Sequence, residues 1–230
     1  MSKSEITETN RRNEGDAPLI SLDNVEVHFE KDQGLLDFFE EPETVNAVDG
    51  ISLDIEENDV LALVGESGCG KSTLGKTTIG LQRPTGGRGE VDIPFREIRS
   101  SLQIIHQDPG SSLNPNQKIV DILATPIKQT HPNIGVNERR ERIYSLLERV
   151  GMNPAADFAD RYPHQLSGGE QQRVALSRAL LMNPDLILAD EAISALDVSL
   201  RVEMMDLMLD LQEDFDTSFV FISHDLSNAR

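Results

Sequence analysis

Val60-Leu61-Ala62-Leu63-Val64-Gly65-Glu66-Ser67-Gly68-Cys69-Gly70-Lys71-Ser72-Thr73-Leu74 joins an apolar run, a glycine-rich loop and the start of a helix-compatible stretch. That order is the context a phosphate-binding P-loop requires. The loop needs glycines because backbone N–H groups must converge on phosphate oxygens with no side chain in the way. The helix that follows turns its positive N-terminus toward the same anion. On this reading Gly65, Glu66, Ser67, Gly68, Cys69, Gly70 and Thr73 build the cradle. Lys71 reaches the β and γ phosphates of a nucleotide, and the Ser72 hydroxyl ligates Mg²⁺.

Working outward, apolar or alternating runs at Leu19–Phe29, Val45–Ile55, Asp59–Val64, Leu102–Ile105, Leu186–Ala189 and Phe219–Ile222 read as strands. The last three are flanked by helical segments and are expected to be buried parallel strands of an α/β domain. Helical periodicity marks Ile143, Leu146, Leu147 and Val150, and again Met204, Leu207, Met208 and Leu211, as core-facing stripes. Residues from about 109 to 165 interrupt the strand–helix alternation with helical material and the turn residues Pro115, Pro126, Pro132, Gly135, Pro154 and Pro163. They read as an inserted helical subdomain of a domain covering 17–230. Residues 1–16 are polar and charged, with too little apolar surface to offset the entropy of ordering, and read as a disordered tail.

The chain has 230 residues, enough for one large α/β domain. Lys and Arg number 21 against 40 Asp and Glu, a net charge of -19, so a polyanion such as nucleic acid is repelled rather than recruited. Lysine is confined to Lys3, Lys31, Lys71, Lys76, Lys118 and Lys128. Such a surface is similar to those of salt-accumulating organisms, which stay hydrated where the Debye length falls to about 3 Å; a simply soluble acidic protein is the other reading. The single cysteine, Cys69, cannot form an internal disulfide and suits a reducing cytoplasm. No stretch approaches the roughly 18 apolar residues of a membrane span, so the chain is expected to be soluble or peripheral.

Pro184-Asp185-Leu186-Ile187-Leu188-Ala189-Asp190-Glu191 is an apolar strand ending in two adjacent carboxylates. A P-loop ATPase needs a Mg²⁺-directed aspartate and a water-polarising glutamate at such a place. It follows Leu166-Ser167-Gly168-Gly169-Glu170, a Ser-Gly-Gly turn able to act as a second anion cradle at a helix start.

These motifs, in this order, resemble those of the ATP-binding cassette family, and the resemblance runs from Leu19 to Arg230. It implies a P-loop NTPase fold with an antiparallel β subdomain and an inserted helical subdomain. It also implies ATP as the nucleotide, Gln107 as the Q-loop glutamine, Ser194-Ala195-Leu196-Asp197 as the D-loop and His224 as the switch histidine. Glu191, His224 and Gln107 are then catalytic, while Ser72, Gln107 and Asp190 hold Mg²⁺. Ser167, Gly168, Gly169 and Asp197 meet the γ-phosphate held by the P-loop of a second cassette subunit, identical or different. Phe29 is placed either against the adenine or in the core.

Ala47-Val48-Asp49-Gly50-Ile51-Ser52, Gln107-Asp108-Pro109, Ser112-Leu113-Asn114-Pro115, Arg161-Tyr162-Pro163-His164 and Ala195-Leu196-Asp197-Val198-Ser199 resemble the oligopeptide and dipeptide importer ATPases, as does the Lys31–Glu43 insertion. That implies membrane permease partners, an indirect extracellular solute-binding protein and a peripheral place on the cytoplasmic face of the membrane. The apolar cluster Leu35, Leu36, Phe38 and Phe39 then contacts permease or nucleotide, or packs on its own domain. A soluble cassette ATPase acting on DNA or ribosomes is the alternative. The sequence departs from the subfamily at His106 in place of phenylalanine, read as packing, at Ala192-Ile193, and at Glu170 in place of glutamine. It also ends soon after His224, which leads one to expect a C-terminally incomplete product.

Overall fold

A computed structural model describes residues 6–7, 17–30, 44–91, 93, 98–194 and 196–224. The Lys31–Glu43 insertion with its apolar cluster, Ala195, and all of 1–16 except Ile6 and Thr7 lie outside the described residues.

Among the described residues, eight strands divide between two sheets. In chain order they are β1 (Ile6–Thr7), β2 (Ile20–Glu30), β3 (Thr44–Ile55), β4 (Val60–Val64), β5 (Gly86–Val91), β6 (Leu102–Ile105), β7 (Leu186–Asp190) and β8 (Ser218–Ser223). The first sheet runs β1-β5-β2-β3, antiparallel apart from the short β1–β5 pairing. Two residues of the segment read as a tail therefore pair, Ile6 with Gly89 and Thr7 with Glu90. The second sheet runs β4-β8-β7-β6 and is parallel throughout.

Side-chain alternation in β7 and β8 places the second sheet between two cores. Leu186, Leu188, Val220 and Ile222 join Leu22, Val25, Val27 and Ile55 of the antiparallel sheet on one face. Ile187, Ala189, Phe219 and Phe221 join the helices on the other. Burial on both faces is why these strands are written as continuous apolar runs.

The helices are α1 (Lys71–Thr78), α2 (Ile98–Ser101), α3 (Pro109–Ser112), α4 (Ile119–Thr130), α5 (Val136–Arg149), α6 (Ala155–Ala159), α7 (Gly168–Leu180) and α8 (Val198–Phe215), with a 3-10 turn at Pro163–Gln165. Residues 109–165 thus contain α3 to α6 and the 3-10 turn, and Pro126 sits inside α4 rather than in a turn. Ile143, Leu146, Leu147 and Val150 of the α5 stripe are buried, as are Met204, Met208 and Leu211 of α8. Among the described residues no helix is long and apolar enough to cross a membrane.

Besides the two-residue β1, β5 is the strand that the hydropathy pattern does not announce, because Gly86-Gly87-Arg88-Gly89 carries no apolar run. One of its glycines answers to backbone proximity. Gly87 has φ +76°, and a Cβ there would overlap the Asn24 carbonyl of β2.

Candidate active site

The parallel sheet brings motifs far apart in sequence to one edge. β4 ends into the 65–70 loop, β6 leads to Gln107, β7 ends in Asp190 and Glu191, and β8 leads to His224. In open α/β sheets the crevice at the carboxyl ends of the strands is where ligands bind.

The loop reaches its shape through positive φ angles, +81° at Gly68 and +96° at Gly70, the residue preceding α1. A Cβ on Gly70 would run into the Ala47 carbonyl of β3, so close backbone approach and the left-handed conformation both demand glycine here. α1 lies equally close to the sheet. A Cβ on Gly75 would stand 2.7 Å from Ile222 Cδ1 and 2.9 Å from Leu188 Cδ1. Glu66, Ser67, Gly68 and Cys69 are exposed, while Gly65, Lys71, Ser72 and Thr73 are half-buried. Lys71 folds back over the loop, its Nζ donating to the carbonyls of Gly65 at 2.8 Å and Glu66 at 2.6 Å.

Ser72 Oγ donates to Asp190 Oδ1 at 2.8 Å, a direct bond between residues 118 apart in sequence. Lys76, one turn further along α1, places Nζ 3.6 Å from Asp190 Oδ2. The next residue, Glu191, carries φ +51°, and its N–H donates to the Ile222 carbonyl of β8 at 3.2 Å. That turn brings Glu191 Oε1 within 3.7 Å of His224 Nδ1. A non-glycine residue in the left-handed region costs of order 1–3 kcal/mol and persists only where neighbours impose it. Here the carbonyl of Glu191 is also held by Ser194, through its N–H at 3.0 Å and its Oγ at 2.8 Å.

Other residues singled out in the sequence lie elsewhere on this frame. Gln107 is exposed just beyond β6, and Asp108 caps α3 by accepting from the Gly110 N–H at 3.0 Å. His106 is exposed, which corrects its reading as a packing residue: β6 ends at Ile105, and the chain has left the sheet. Phe29 lies opposite Val45 and is 42% exposed, which removes the core option for it.

Ser167 caps α7, and Gly168 and Gly169 form its first turn. Glu170 completes a capping box, its carboxylate accepting from the Ser167 N–H at 2.6 Å while its own N–H donates to Ser167 Oγ at 3.3 Å. Glutamate fills the capping position as glutamine also can, and adds a negative charge at the helix N-terminus. Asp197 is exposed and caps α8, accepting from the N–H groups of Ser199 and Leu200 at 3.1 Å. Among the described residues no hydrogen bond or ion pair joins the 167–169 turn to the 65–73 loop.

The donor set suits a magnesium nucleotide. Ser72 and Asp190 offer hard oxygens of the kind Mg²⁺ accepts, and the Gly68–Gly70 loop has the left-handed glycine backbone that suits an anion-cradling loop.

The family model described as ABC transporter matches residues 48–194. The chain belongs to the ABC transporter family. Curated members similar to it include the dipeptide transport ATP-binding protein DppF of Haemophilus influenzae, 43% identical over 91% of this chain and 65% of that protein. The oligopeptide transport ATP-binding protein OppF of Escherichia coli is 41% identical over 93% of this chain and 66% of its own length. The chain thus spans just under two thirds of these relatives. Among solved structures, the ATP-binding cassette MJ0796, described as a dimer in a post-hydrolysis state bound to ADP and Pi, aligns with a TM-score of 0.73. It is 29% identical, over 90% of this chain and 89% of that one. The cbiO1 cassette of Clostridium perfringens, 24% identical with a TM-score of 0.74, shares the fold over 91% of this chain and 80% of that one.

Two features of this ABC cassette escaped the sequence reading. The Glu170 cap was legible as Ser-x-x-Glu ahead of an apolar helix. Arg201 had no such signal. Its Nε donates to the Leu196 carbonyl at 2.8 Å and an NH2 group to the Ser194 carbonyl at 2.7 Å.

Proposed function

We propose that this chain is the ATP-hydrolysing subunit of an ABC importer, energising the uptake of oligopeptides, dipeptides or a related solute through a membrane permease. The observation that carries the reading is the bond from Ser72 to Asp190 beside the Glu191–His224 contact, at the strand ends that flank the glycine loop. The relatives named for dipeptide and oligopeptide transport supply the substrate class.

In this reading the loop N–H groups and Lys71 bind the ATP phosphates, Lys71 exchanging the carbonyls of Gly65 and Glu66 for phosphate oxygens. Ser72 and Asp190, with Gln107, hold Mg²⁺, which offsets the charge on the phosphates when bound. Glu191 orients the attacking water and takes its proton, and His224 holds the glutamate and faces the γ-phosphate. Phe29, with its ring exposed, stacks on the adenine. Ser167, Gly168, Gly169 and Asp197 face outward to complete the site of a second cassette, whose own turn completes this one. The assembly sits on permease subunits at the cytoplasmic face of the membrane, with an extracellular solute-binding protein acting through the permease.

Tagged chain drawn from its native cells should bring permease subunits out of the membrane fraction, and nuclease treatment should leave that association intact. Recovery with nucleic acid or ribosomes, and without permease, would favour the soluble alternative, against which a net charge of -19 already argues.

The same charge supports a high-salt habitat. Molar KCl should raise the melting temperature by screening carboxylate repulsion across the whole surface. A melting temperature that is flat or falls from dilute buffer to molar KCl would remove the halophile reading.

A further inference from the structure

We propose that Arg201 is a positioning residue that fixes the Glu191 turn to the partner-facing end of α8, so that the glutamate is correctly aimed only when this staple is closed. The inference rests on the ATPase reading above and goes beyond it, since Arg201 touches neither nucleotide nor metal in that reading.

The staple is a continuous chain of hydrogen bonds. The Glu191 carbonyl accepts from Ser194 Oγ and N–H, and the Ser194 carbonyl accepts from the Arg201 guanidinium at 2.7 Å. The same guanidinium reaches the Leu196 carbonyl at 2.8 Å, so its planar fork holds two backbone carbonyls at once. The backbone N–H of Arg201 closes the α8 turn on the Asp197 carbonyl at 2.9 Å, and the Asp197 carboxylate caps that helix.

α8 is in turn braced against α7. Arg173 pairs with Glu203 at 3.7 Å, and a Cβ on Gly169 would lie 3.8 Å from Leu200. Asp197 and the 167–169 turn therefore lie at neighbouring helix starts, and Arg201 ties the Asp197 end, through Ser194, to the left-handed Glu191. Charge assistance makes the two Arg201 bonds stronger than neutral ones, and they brace the Ser194 that holds Glu191 at a φ of +51°.

The test compares Arg201→Gln and Arg201→Lys with wild type, each paired with its second cassette. An amide or an ammonium holds one carbonyl well but cannot span two as a fork. Displacing a catalytic group by about 1 Å costs roughly 10²-fold, so kcat should fall by up to that factor with KM for ATP unchanged, lysine being the milder change.

A double-variant cycle separates positioning from general stability. In the Glu191→Gln background either Arg201 substitution should cause no further loss of residual turnover, because the group it positions is already gone. Backbone amide hydrogen exchange over 191–197 should accelerate in Arg201→Gln whether or not the sample turns over. Multiplying losses in the cycle, a raised KM at unchanged kcat, or unaltered exchange would overturn the proposal. Wild type that hydrolyses no ATP would instead sink the ATPase reading, and the positioning role of Arg201 with it.

Discussion

Glu191→Gln is expected to bind MgATP as tightly as wild type while its turnover falls by about 10²–10⁴-fold, the usual contribution of a positioned general base. The amide keeps the volume of the side chain and its distance from His224, and it leaves the Ser72–Asp190 bond untouched. What disappears is the proton-accepting oxygen. Binding without hydrolysis should let ATP-bound pairs of cassettes accumulate, visible as a nucleotide-dependent shift in sedimentation. Turnover within a few-fold of wild type would take Glu191 out of the catalytic role, whatever else its strained turn does.

Gly70→Ala should abolish nucleotide binding and destabilise the domain, for a reason set by the backbone. Its φ of +96° alone costs an alanine about 1–2 kcal/mol, roughly tenfold in an equilibrium, and the added Cβ overlaps the Ala47 carbonyl as well. Relief requires either that the loop move away from the phosphates or that β3 move off the loop. Gly68→Ala is the matched comparison. It has a similar φ of +81° but nothing within 4 Å of its Cβ, so it should pay the conformational strain and little more. Calorimetric titration with MgATP and thermal melting should rank wild type above Gly68→Ala, and Gly68→Ala well above Gly70→Ala. Equal effects of the two alanines would show that the contact with Ala47 is irrelevant to the cradle.

The contrast between those glycines also marks how far the sequence could be read. Two-sided burial writes an unmistakable pattern, and Leu186–Ala189 and Phe219–Ile222 lie within β7 and β8. The α5 and α8 stripes were equally plain, because a helix packed on one side repeats its apolar residues every three or four positions. β5 was hidden because Gly87 answers to backbone approach and the strand to pairing with β2, which leave no hydropathy signal.

At the site, the residue types and their order announced phosphate chemistry, and the parallel sheet then bonds Ser72 to Asp190 across 118 positions. The left-handed Glu191 and the fork of Arg201 could not be read, since both depend on carbonyls whose direction is fixed only by the fold. His106 was misjudged because a residue one step past a buried strand carries no mark of the strand's end.

ATP is expected to be bound and cleaved between the 65–72 loop and the carboxylates at the end of β7. Release of inorganic phosphate from MgATP tests it most directly, measured for wild type and for Lys71→Ala, each with its second cassette present. Wild type should show release that saturates with ATP, and Lys71→Ala should fall to background because the ammonium that reaches the β and γ phosphates is gone. No release by wild type, or release by Lys71→Ala at the wild-type rate, would contradict the account.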